Sequence, residues 1–569
     1  MANHKTKLEL TWIGKENRPK LEPRILIEDP AKSHHAPFRT GKDDLFDNRL
    51  IFGDNLLALK ALEQELTGKI KCIYIDPPYN TGSAFTHYDD GMEHSLWLSL
   101  IRGRLEILWR LLSNDGSLWV SIDDYEMPYL RVLMDEVCGR KKFIAANIWQ
   151  KRYSRENREA IGDVHEYIIL YAKDPERFKI TRNLVPITEE QAKIYKNPNN
   201  DPRGRWRGIP MTAQGFRPNQ MYPITTPTGI VHRPPEGRCW STVESEFEKL
   251  KKEGRIWFGK DGNSQPNTIR YLFEVDGMVP WTWWPSTEVG HTDEAKKEIH
   301  ALFGKVAAFD TPKPERLIQR VIQIASNPGD LVLDSFAGSG TTGAVAHKMG
   351  RRWIMVELGE HCHTHIIPRM KKVIDGEDKG GVTQAVGWKG GGGFRYYRLA
   401  PSLLEKDQFG NWIMSKQYNA AMLAEAMCKL EGFTYAPSDT VYWQHGHSTE
   451  TDFIYVTTQT LTREQLQKLS DEIGENRSLL VMCGAFRVKN LDDFPNLNVK
   501  KIPKAVLNRC EWGHDDYSLE IKNLPMKAPE PEEPPETPTA ARKPRSKAER
   551  RGGVQRSLFD TPTGKGGAK

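Results

Sequence analysis

The sequence has few cysteines, no long apolar run and no leader-like start. Its seven cysteines are far apart and never form a C-x-x-C pair, which argues against both a disulfide framework and a cysteine zinc site. No apolar stretch approaches the roughly 18 residues that span a bilayer. The first twenty residues lack the apolar core and the small-residue cleavage site of a signal peptide. We therefore predict a reduced, cytoplasmic protein without a membrane-spanning segment.

A strong excess of one charge is also absent from most of the chain. The formal net charge is +6, and residues 526–569 alone hold ten Lys or Arg against six Asp or Glu. Unevenly placed positive charge suggests a polyanionic partner such as nucleic acid, although a solvated surface explains such runs equally well. Hydrophobic residues make up 38% of the sequence, which is enough for sizeable cores.

The spacing of apolar residues predicts an α/β domain that is interrupted by an insert. Short apolar strands alternate with helical periodicity over residues 45–174 and again over residues 311–390. This alternation indicates βαβ units and a mostly parallel sheet. Residues 175–310 are rich in Pro, Gly, Arg and Trp, and we expect them to form a loop-rich inserted module with short strands.

Three further segments flank the predicted sheet domain. Residues 1–44 are polar and punctuated by proline, so we expect an irregular N-terminal arm. After the glycine run Gly390–Gly393, residues 391–525 have the pattern of a small C-terminal α/β domain. Residues 526–569 are first rich in Pro and Glu and then in Arg and Lys, which is typical of a disordered basic tail.

A glycine-rich turn follows one predicted strand and begins a helix. It runs Asp334-Ser-Phe-Ala-Gly-Ser-Gly-Thr-Thr-Gly343, and its glycines fit the spacing G-x-G-x-x-G. Glycines at such positions allow a ligand to approach the backbone and the helix N-terminus, and Glu357 after the next strand can bind ribose hydroxyls. A nucleoside-containing cofactor and an ordinary strand–helix turn both fit this pattern. A Walker A phosphate loop is excluded, because no Gly-Lys-Ser/Thr follows.

A second motif carries more information. The apolar strand Ile70–Ile75 runs directly into Asp76-Pro-Pro-Tyr79, followed by Asn80-Thr-Gly82. The carboxylate of Asp76 is a hydrogen-bond acceptor, the two prolines stiffen the loop so that their carbonyls can point into a site, and Tyr79 offers a flat face for stacking. Together these groups suit a planar ring that bears an exocyclic amino group.

These two motifs resemble those of the amino-methylating DNA methyltransferases, which use S-adenosylmethionine. D-P-P-Y is similar to the catalytic motif of that family, and Phe336-x-Gly338-x-Gly340 to its cofactor motif. Here the catalytic motif comes first, which is the circularly permuted β arrangement. Trp97-Leu-Ser, Val120-Ser-Ile-Asp-Asp124 and His165-Glu-Tyr-Ile168 are similar to stretches of the modification subunits of type III restriction systems.

The resemblance implies a fold and a set of site residues. The implied fold is an α/β, Rossmann-like methyltransferase sheet, circularly permuted, with an inserted target-recognition domain and a small C-terminal α/β domain. Gly53-Asp54 looks like the family's motif whose acidic residue contacts the adenine of the cofactor. Asp310-Thr-Pro-Lys-Pro314 looks like the segment that closes over the cofactor. The implied catalytic residues are Asp76, Pro77, Pro78 and Tyr79. The implied cofactor-binding residues are Asp54, Lys313, Asp334, Phe336, Gly338, Gly340, Thr341 and Glu357.

The function implied is methylation of the N6 amine of adenine in double-stranded DNA. The base must leave the stack to reach the pocket. We expect Tyr79 to stack on it while the Asp76 carboxylate and the Pro77 carbonyl accept its amine hydrogens. N4 of cytosine suits the same acceptors and is the alternative within the enzyme class. A non-catalytic DNA-specificity subunit of a restriction complex is the alternative outside it. Restriction itself would need a helicase-nuclease partner subunit, and the β-arranged family implies a homodimer.

Other conspicuous residues have a functional and a structural interpretation. Basic and aromatic residues alternate at Arg203, Arg205, Trp206 and Arg207, which favours DNA contact. We expect Trp281, Trp283 and Trp284 to pack in a core instead. His361-Cys-His-Thr-His365 lies where a helix should begin, so its three imidazoles point apart and we predict no metal site.

The tail contains one apolar pair in a segment too polar to fold. Gln555-Arg-Ser-Leu-Phe559 resembles the short peptide by which bacterial DNA-processing proteins bind the replicative sliding clamp. Leu558 and Phe559 would fill a hydrophobic pocket of the clamp, and Gln555 would fix the register. A chance pentamer in a loose tail is the alternative.

Overall fold

The structure is a computed structural model that describes residues 9–37, 39, 46–79, 90–154, 160–304, 311–502 and 504–517, with the backbone alone described at residues 90–93. Asn80-Thr-Gly82, Asp310 and the proposed clamp peptide with Gln555, Leu558 and Phe559 lie outside the described residues. Within the described part of the chain, no helix is both long and apolar enough to cross a membrane.

The first part of the chain forms strands of one large sheet and the helices beside it. Its strands are β1 (Leu26–Glu28), β2 (His34–His35), β3 (Asn48–Phe52), β4 (Ile70–Ile75), β5 (Leu112–Ile122), β6 (Phe143–Gln150) and β7 (His165–Ala172). Its helices are α1 (Asn55–Leu66), α2 (Asp90–Leu111), α3 (Met127–Met134) and α4 (Pro175–Thr181), with a π-helical turn at Asp135–Gly139 and a 3-10 turn at Arg140–Lys142.

The next part forms small antiparallel sheets and short helices. The strands are β8 (Trp206–Pro210), β9 (Thr212–Gln214), β10 (Ile224–Thr225), β11 (Val231–His232), β12 (Arg238–Trp240), β13 (Ile256–Trp257), β14 (Asn267–Tyr271) and β15 (Trp283–Trp284). The helices are α5 (Glu189–Ala192), α6 (Glu244–Lys252), α7 (Ser286–Val289) and α8 (Thr292–Phe303), with 3-10 turns at Pro218–Gln220 and Leu272–Glu274. Strands β8, β14 and β13 form one sheet, while β9 pairs with β12 and β10 with β11.

The chain then returns to the large sheet. The strands are β16 (Leu331–Asp334), β17 (Arg352–Glu357) and β18 (Gly393–Leu399). The helices are α9 (Glu315–Ala325), α10 (Thr341–Lys348), α11 (Ile367–Ile374) and α12 (Thr383–Val386), with a π-helical turn at Cys362–Ile366. The large sheet has the order β1-β18-β3-β17-β16-β4-β5-β7-β6-β15, and β2 pairs with β18.

The large sheet is mixed and carries helices on both faces. Strands β18, β3, β17, β16, β4 and β5 are parallel, whereas β7 lies antiparallel between β5 and β6. Alternate residues of β4 point to opposite sides. Cys72 and Tyr74 pack in the core that contains α9, α10 and α11, and Ile73 and Ile75 pack against α1 and α2.

The sheet places the two sequence motifs next to each other. Strands β16 and β4 are parallel neighbours, with Val332 opposite Cys72 and Leu333 opposite Ile73. Both strands therefore end at the same edge, one at Asp334 and the other just before Asp76. The prediction that the motifs lie at neighbouring strand ends is confirmed.

The last described part of the chain forms two further sheets, one of two strands and one of five. Its strands are β19 (Leu404–Lys406), β20 (Trp412–Met414), β21 (Thr434–Tyr435), β22 (Gly446–His447), β23 (Asp452–Leu461), β24 (Ser478–Phe486) and β25 (Leu497–Lys501), and its helices are α13 (Ala420–Glu431) and α14 (Arg463–Ile473). Strands β19 and β20 pair with each other, while β21 to β25 form a five-stranded sheet in chain order, in which β23, β24 and β25 are parallel. The C-terminal domain of residues 391–525 stays a prediction.

Three predicted boundaries need correction. The N-terminal arm is not wholly irregular, because β1 pairs with β18 and extends the large sheet. Strand β18 belongs to the large sheet and not to the C-terminal unit, since it lies parallel to β3. Its first residue, Gly393, lets β2 approach closely, since a Cβ there would lie 2.8 Å from the backbone oxygen of His34. Finally, β15, inside the predicted insert, pairs with β6 of the large sheet.

Candidate active site

A cavity of about 330 Å³ opens where β4 and β16 end. Ligands in open α/β sheets bind outside the carboxyl ends of the strands, which is the position of this cavity. One wall is the D-P-P-Y loop, a second is Thr311 to Lys313, and a third is the glycine-rich turn with the start of α10. Tyr74, Glu166 and Ile318 complete the lining.

Lys313 binds the D-P-P-Y loop directly. Its Nζ donates to Asp76 Oδ1 at 2.8 Å, to Asp76 Oδ2 at 2.7 Å and to the Tyr79 hydroxyl oxygen at 3.0 Å. The Tyr79 hydroxyl lies 2.8 Å from Asp76 Oδ1 and 3.1 Å from Glu166 Oε2, so its one proton has two carboxylates within reach. These four side chains form one hydrogen-bonded cluster at the mouth of β4.

The charges of this cluster fix its protonation. Burial opposes a charge on Lys313, but Asp76 and Glu166 outweigh that effect and hold the lysine pKa above its ordinary value. Burial, together with the Asp76 and Glu166 carboxylates, raises the pKa of Tyr79 well above its ordinary value. The lysine therefore stays protonated near neutral pH, and the tyrosine remains a neutral donor.

Trp97 holds the D-P-P-Y loop from behind. Trp97 lies on α2; its indole N–H donates to the Pro78 carbonyl at 2.8 Å, and its side chain is buried in the core. The Pro77 carbonyl, which the sequence predicts as an acceptor for the amine, is not the carbonyl that Trp97 occupies. A loop with two fixed φ angles and a buried indole beneath it is pre-positioned before any ligand binds.

The glycine-rich turn is held by side chains at both of its ends. Asp334 accepts hydrogen bonds from the Phe336 backbone N–H at 2.9 Å and from the Thr342 hydroxyl at 2.5 Å. Gly340 begins α10 with φ of +77°, and a Cβ there would lie 3.1 Å from Ile366 Cγ2. Only glycine fits without strain, because L side chains rarely adopt this φ.

Asp334 is almost completely buried, and this changes its titration. Burial raises its pKa to about 7, although the hydrogen bonds from Thr342 and Phe336 favour the ionised form. Asp76 and Glu166 exceed Lys313 by one negative charge, so the cavity wall suits a cationic ligand. Loss of the Asp334 proton adds to this negative charge.

The predicted cofactor residues fall into two groups. Lys313, Asp334, Phe336, Gly338 and Thr341 line the cavity. Gly340 begins the helix, and Glu357 and Asp54 contact the chain itself.

Glu357 accepts hydrogen bonds from the Gly338 and Gly359 N–H groups, each at 2.8 Å. Asp54 is buried, caps α1 through the N–H groups of Leu56 and Leu57, and pairs with Arg104 Nη2 at 3.2 Å. The contact of Asp54 with the adenine ring of the cofactor stays a prediction.

The predicted DNA-contact residues have unequal positions. Trp206 is 3% exposed and packs with Ile269 and Tyr271, so the prediction that its ring meets DNA is wrong. Arg203 forms a two-point ion pair with Asp201, whereas Arg205 is exposed and its Nη1 lies 3.6 Å from Glu189.

Arg207 Cζ lies 5.4 Å from the centre of the Tyr195 ring. On β14, Arg270 stands opposite Arg207 in the register and is exposed.

The tryptophans expected in a core divide differently. Trp284 is buried as predicted, but Trp281 and Trp283 are 53% and 44% exposed, which corrects that expectation. The sequence does not reveal which of these tryptophans faces the core, because β15 has only two residues and shows no alternation.

The histidines of 361–365 face separate partners. His361 Nε2 lies 2.9 Å from Glu357 Oε1, His363 Nε2 lies 2.9 Å from the Tyr396 hydroxyl, and His365 Nδ1 lies 2.8 Å from the Thr364 hydroxyl. Among the described residues, the prediction that these imidazoles point apart agrees with the structure.

Sequence reasoning missed Glu166 and Trp97 as parts of this site. Both fall in stretches that resemble the type III modification subunits, H-E-Y-I and W-L-S, and that likeness was the available signal. Spacing could not reveal them, because Glu166 lies on an antiparallel strand that joins the edge only in the folded sheet.

Comparison with known proteins gives the family. A family model described as DNA methylase matches residues 70–368, more than half of the chain, and spans both motifs. The chain belongs to this DNA methylase family.

Three curated relatives are similar to it. The StyLTI Mod subunit of a type III restriction-modification enzyme from Salmonella typhimurium is 32% identical over 369 residues, which are 59% of this chain and 55% of that protein. The probable HindVI Mod subunit from Haemophilus influenzae is 31% identical over 62% of this chain and 54% of its own length. The type II methyltransferase M.EcaI from Enterobacter cloacae is 30% identical over 60% and 76%, respectively. The chain spans about half the length of the two Mod relatives.

Proposed function

We propose that this protein is a site-specific DNA methyltransferase that transfers a methyl group from S-adenosylmethionine to the N6 amine of adenine in double-stranded DNA. One observation carries the proposal: the D-P-P-Y loop and the glycine-rich turn line the same cavity although about 260 residues separate them. Membership of the DNA methylase family supports the same activity.

The chain's own residues would position the amine. The base is flipped out of the duplex, and Tyr79 stacks on it. The Asp76 carboxylate and the Pro77 carbonyl each accept a hydrogen bond from the N6 amine and so orient its nitrogen lone pair. Positioning and electrostatics account for most of the expected acceleration, and Asp76 need not act as a strong base.

The cavity fits S-adenosylmethionine by its chemistry. When bound, this cofactor supplies an electrophilic methyl group on a cationic sulfur. The acidic excess of Asp76 and Glu166 over Lys313 suits that cation, and Phe336 offers an apolar surface. Gly338 and Thr341 would hold the cofactor beside the helix N-terminus. Glu357 would bind the ribose, since a carboxylate has about four lone pairs and three of them face the Gly338 and Gly359 N–H groups and His361 Nε2.

DNA would be held by the region of small sheets. Arg205, Arg207 and Arg270 supply positive charge, and exposed Trp281 and Trp283 supply aromatic surface. This region would act as the inserted target-recognition domain. Sequencing of the modified DNA identifies the bases that this region selects.

The test is a methylation assay with the purified chain, S-adenosylmethionine and plasmid DNA, followed by mass analysis of the nucleosides. N6-methyladenine is the expected product. Detection of N4-methylcytosine instead would show that the target base is cytosine and not adenine. No methylated nucleoside with the wild type would favour the non-catalytic specificity subunit. Single-molecule sequencing of the modified DNA then gives the recognition sequence.

Partners follow from the same proposal. By likeness to the Mod subunits, a separate helicase-nuclease subunit would supply restriction, and an adjacent gene for such a protein would support this. We expect a homodimer in the cytoplasm. A sedimentation measurement that finds a monomer on DNA would contradict the dimer.

A clamp interaction through Gln555, Leu558 and Phe559 remains a separate proposal. A peptide of residues 550–562 should bind the replicative sliding clamp, and the same peptide with Leu558→Ala and Phe559→Ala should not. Equal binding by both peptides, or none by either, contradicts this interaction.

A further inference from the structure

The Lys313 ammonium already occupies the acceptors that the proposed reaction needs. An ammonium has three hydrogens, and here three acceptor atoms lie within 3.0 Å: both Asp76 oxygens and the Tyr79 hydroxyl oxygen. An adenine N6 amine would donate to the same Asp76 carboxylate. The lysine and the incoming amine therefore compete for one group.

Glu166 offers Lys313 a second acceptor. Its Oε2 lies 3.6 Å from Lys313 Nζ, so a shift of less than about 1 Å would make a full hydrogen bond. The Glu166 side chain is 12% exposed and its other oxygen, Oε1, lies 3.5 Å from Lys151 Nζ. A carboxylate that is shielded from water and only partly neutralised attracts a neighbouring cation strongly.

The backbone around Lys313 restricts the movement to the side chain. Pro312 and Pro314 flank the lysine and fix their own φ angles. Helix α9 begins directly afterwards, and its Glu315 N–H donates to Glu298 Oε2 at 3.1 Å. The Lys313 Cα is thus held, while its four-carbon side chain keeps rotational freedom.

We propose that Glu166 is a positioning residue that receives Lys313 from Asp76 when the target base enters, and so frees the Asp76 carboxylate for the amine. This inference rests on the proposed function and adds a residue to it. The lysine stays protonated throughout, because its pKa lies above the ordinary value. The exchange is a change of acceptor and not a proton transfer.

Two substitutions test the exchange. Glu166→Gln keeps the size of the side chain but removes its charge, so Lys313 remains on Asp76. Lys313→Met removes the competitor itself. Glu176→Gln is the matched control, since it makes the same change of side chain at an exposed position of α4. Thermal unfolding of each variant checks that the fold is retained.

The measurements separate base entry from chemistry. One is kcat and KM on the duplex that sequencing identifies as methylated. The other is the permanganate reactivity of the thymine opposite the target adenine, which rises when the adenine leaves the stack, keeps the N6 amine in place and needs no methyl transfer.

We expect Glu166→Gln to lower kcat about tenfold and to reduce the permanganate signal at saturating DNA. Glu176→Gln should change both by less than about twofold. In the Lys313→Met background, Glu166→Gln should cause no further loss of signal, because there is no lysine left to move.

Three outcomes with an active wild type overturn the exchange: an unchanged Glu166→Gln enzyme, losses that multiply in the double variant, or an equal loss in Glu176→Gln. An inactive wild type instead contradicts the proposed function, and the inference falls with it.

Discussion

Lys313 Nζ lies 2.7 Å from Asp76 Oδ2, although 237 residues separate them in the sequence. This ion pair joins the two halves of the large sheet across the cavity. The D-P-P-Y loop and the segment before α9 are therefore in direct contact. The first prediction removes this contact.

Asp76→Ala should lower the methylation rate by about 100-fold or more, because the amine loses its charged acceptor. Affinity for S-adenosylmethionine, measured by calorimetry, should fall much less than the rate, since the glycine-rich turn is intact and only one of the charges that face the cofactor is lost. Asp492→Ala, at an exposed position of the C-terminal unit, is the control and should behave as wild type. Normal turnover by Asp76→Ala would refute the catalytic assignment.

Trp97→Phe should reduce both activity and stability. The change removes the indole N–H that holds the Pro78 carbonyl, which should cost about 1 kcal/mol of unfolding free energy. Denaturant unfolding measures that loss, and kcat should fall because the loop is less well positioned.

Trp119→Phe is a matched control. Its N–H donates to the Ser117 hydroxyl at 2.9 Å inside the same sheet. It should lose a similar amount of stability and keep its kcat. An equal fall in kcat for both variants would show that general destabilisation, and not the loop, causes the effect.

The buried Asp334 should make stability depend on pH. Its folded-state pKa of about 7 lies above the ordinary value of 3.8, so the folded protein binds more protons than the unfolded chain between these values. The unfolding free energy therefore falls as pH rises through this window, by roughly 2 kcal/mol between pH 5 and 7 from this group.

Asp334→Asn should flatten that slope, because the amide does not titrate. Denaturant unfolding at pH 5, 6 and 7 compares the two proteins. Parallel slopes for wild type and variant would assign the pH dependence to other groups.

Arg205 and Arg203 should have opposite roles. Arg205→Gln should weaken DNA binding and reduce the slope of log K against log salt by about one contact, because an exposed guanidinium binds phosphate. Arg203→Gln should lower Tm and leave the salt slope unchanged, since Arg203 is engaged by Asp201 and lies over Tyr271. Fluorescence anisotropy across a salt series distinguishes them, and a reduced slope for Arg203→Gln alone would reverse the assignment.

Much of the α/β core was predictable from local pattern. Helices α1, α9 and α14 each bury one continuous face, so the helical spacing of their apolar residues indicates them from the sequence. Short edge strands were not predictable. Strands β1 and β15 have three and two residues, too few to show an alternation, and they exist because a neighbouring strand leaves its backbone groups to be paired.

Side-chain exposure was the least predictable property. Arg203, Trp206 and Arg207 follow one another closely, yet one pairs with Asp201, one is buried and one lies over Tyr195. A pattern of basic and aromatic residues does not predict which of these side chains are exposed. The direction of each side chain depends on which strand pairs beside it.

By itself, the sequence determined the chemistry of this protein: D-P-P-Y after one strand and a glycine-rich turn after another specify the groups and the local backbone, because both depend on neighbours in the chain. The tertiary structure decided which distant groups meet. Parallel pairing of β4 with β16 brings the motifs to one edge, and antiparallel β7 brings Glu166 to the same edge. Lys313 and Glu166 form one cluster with Asp76 because buried charges are stable only when folding supplies their partners.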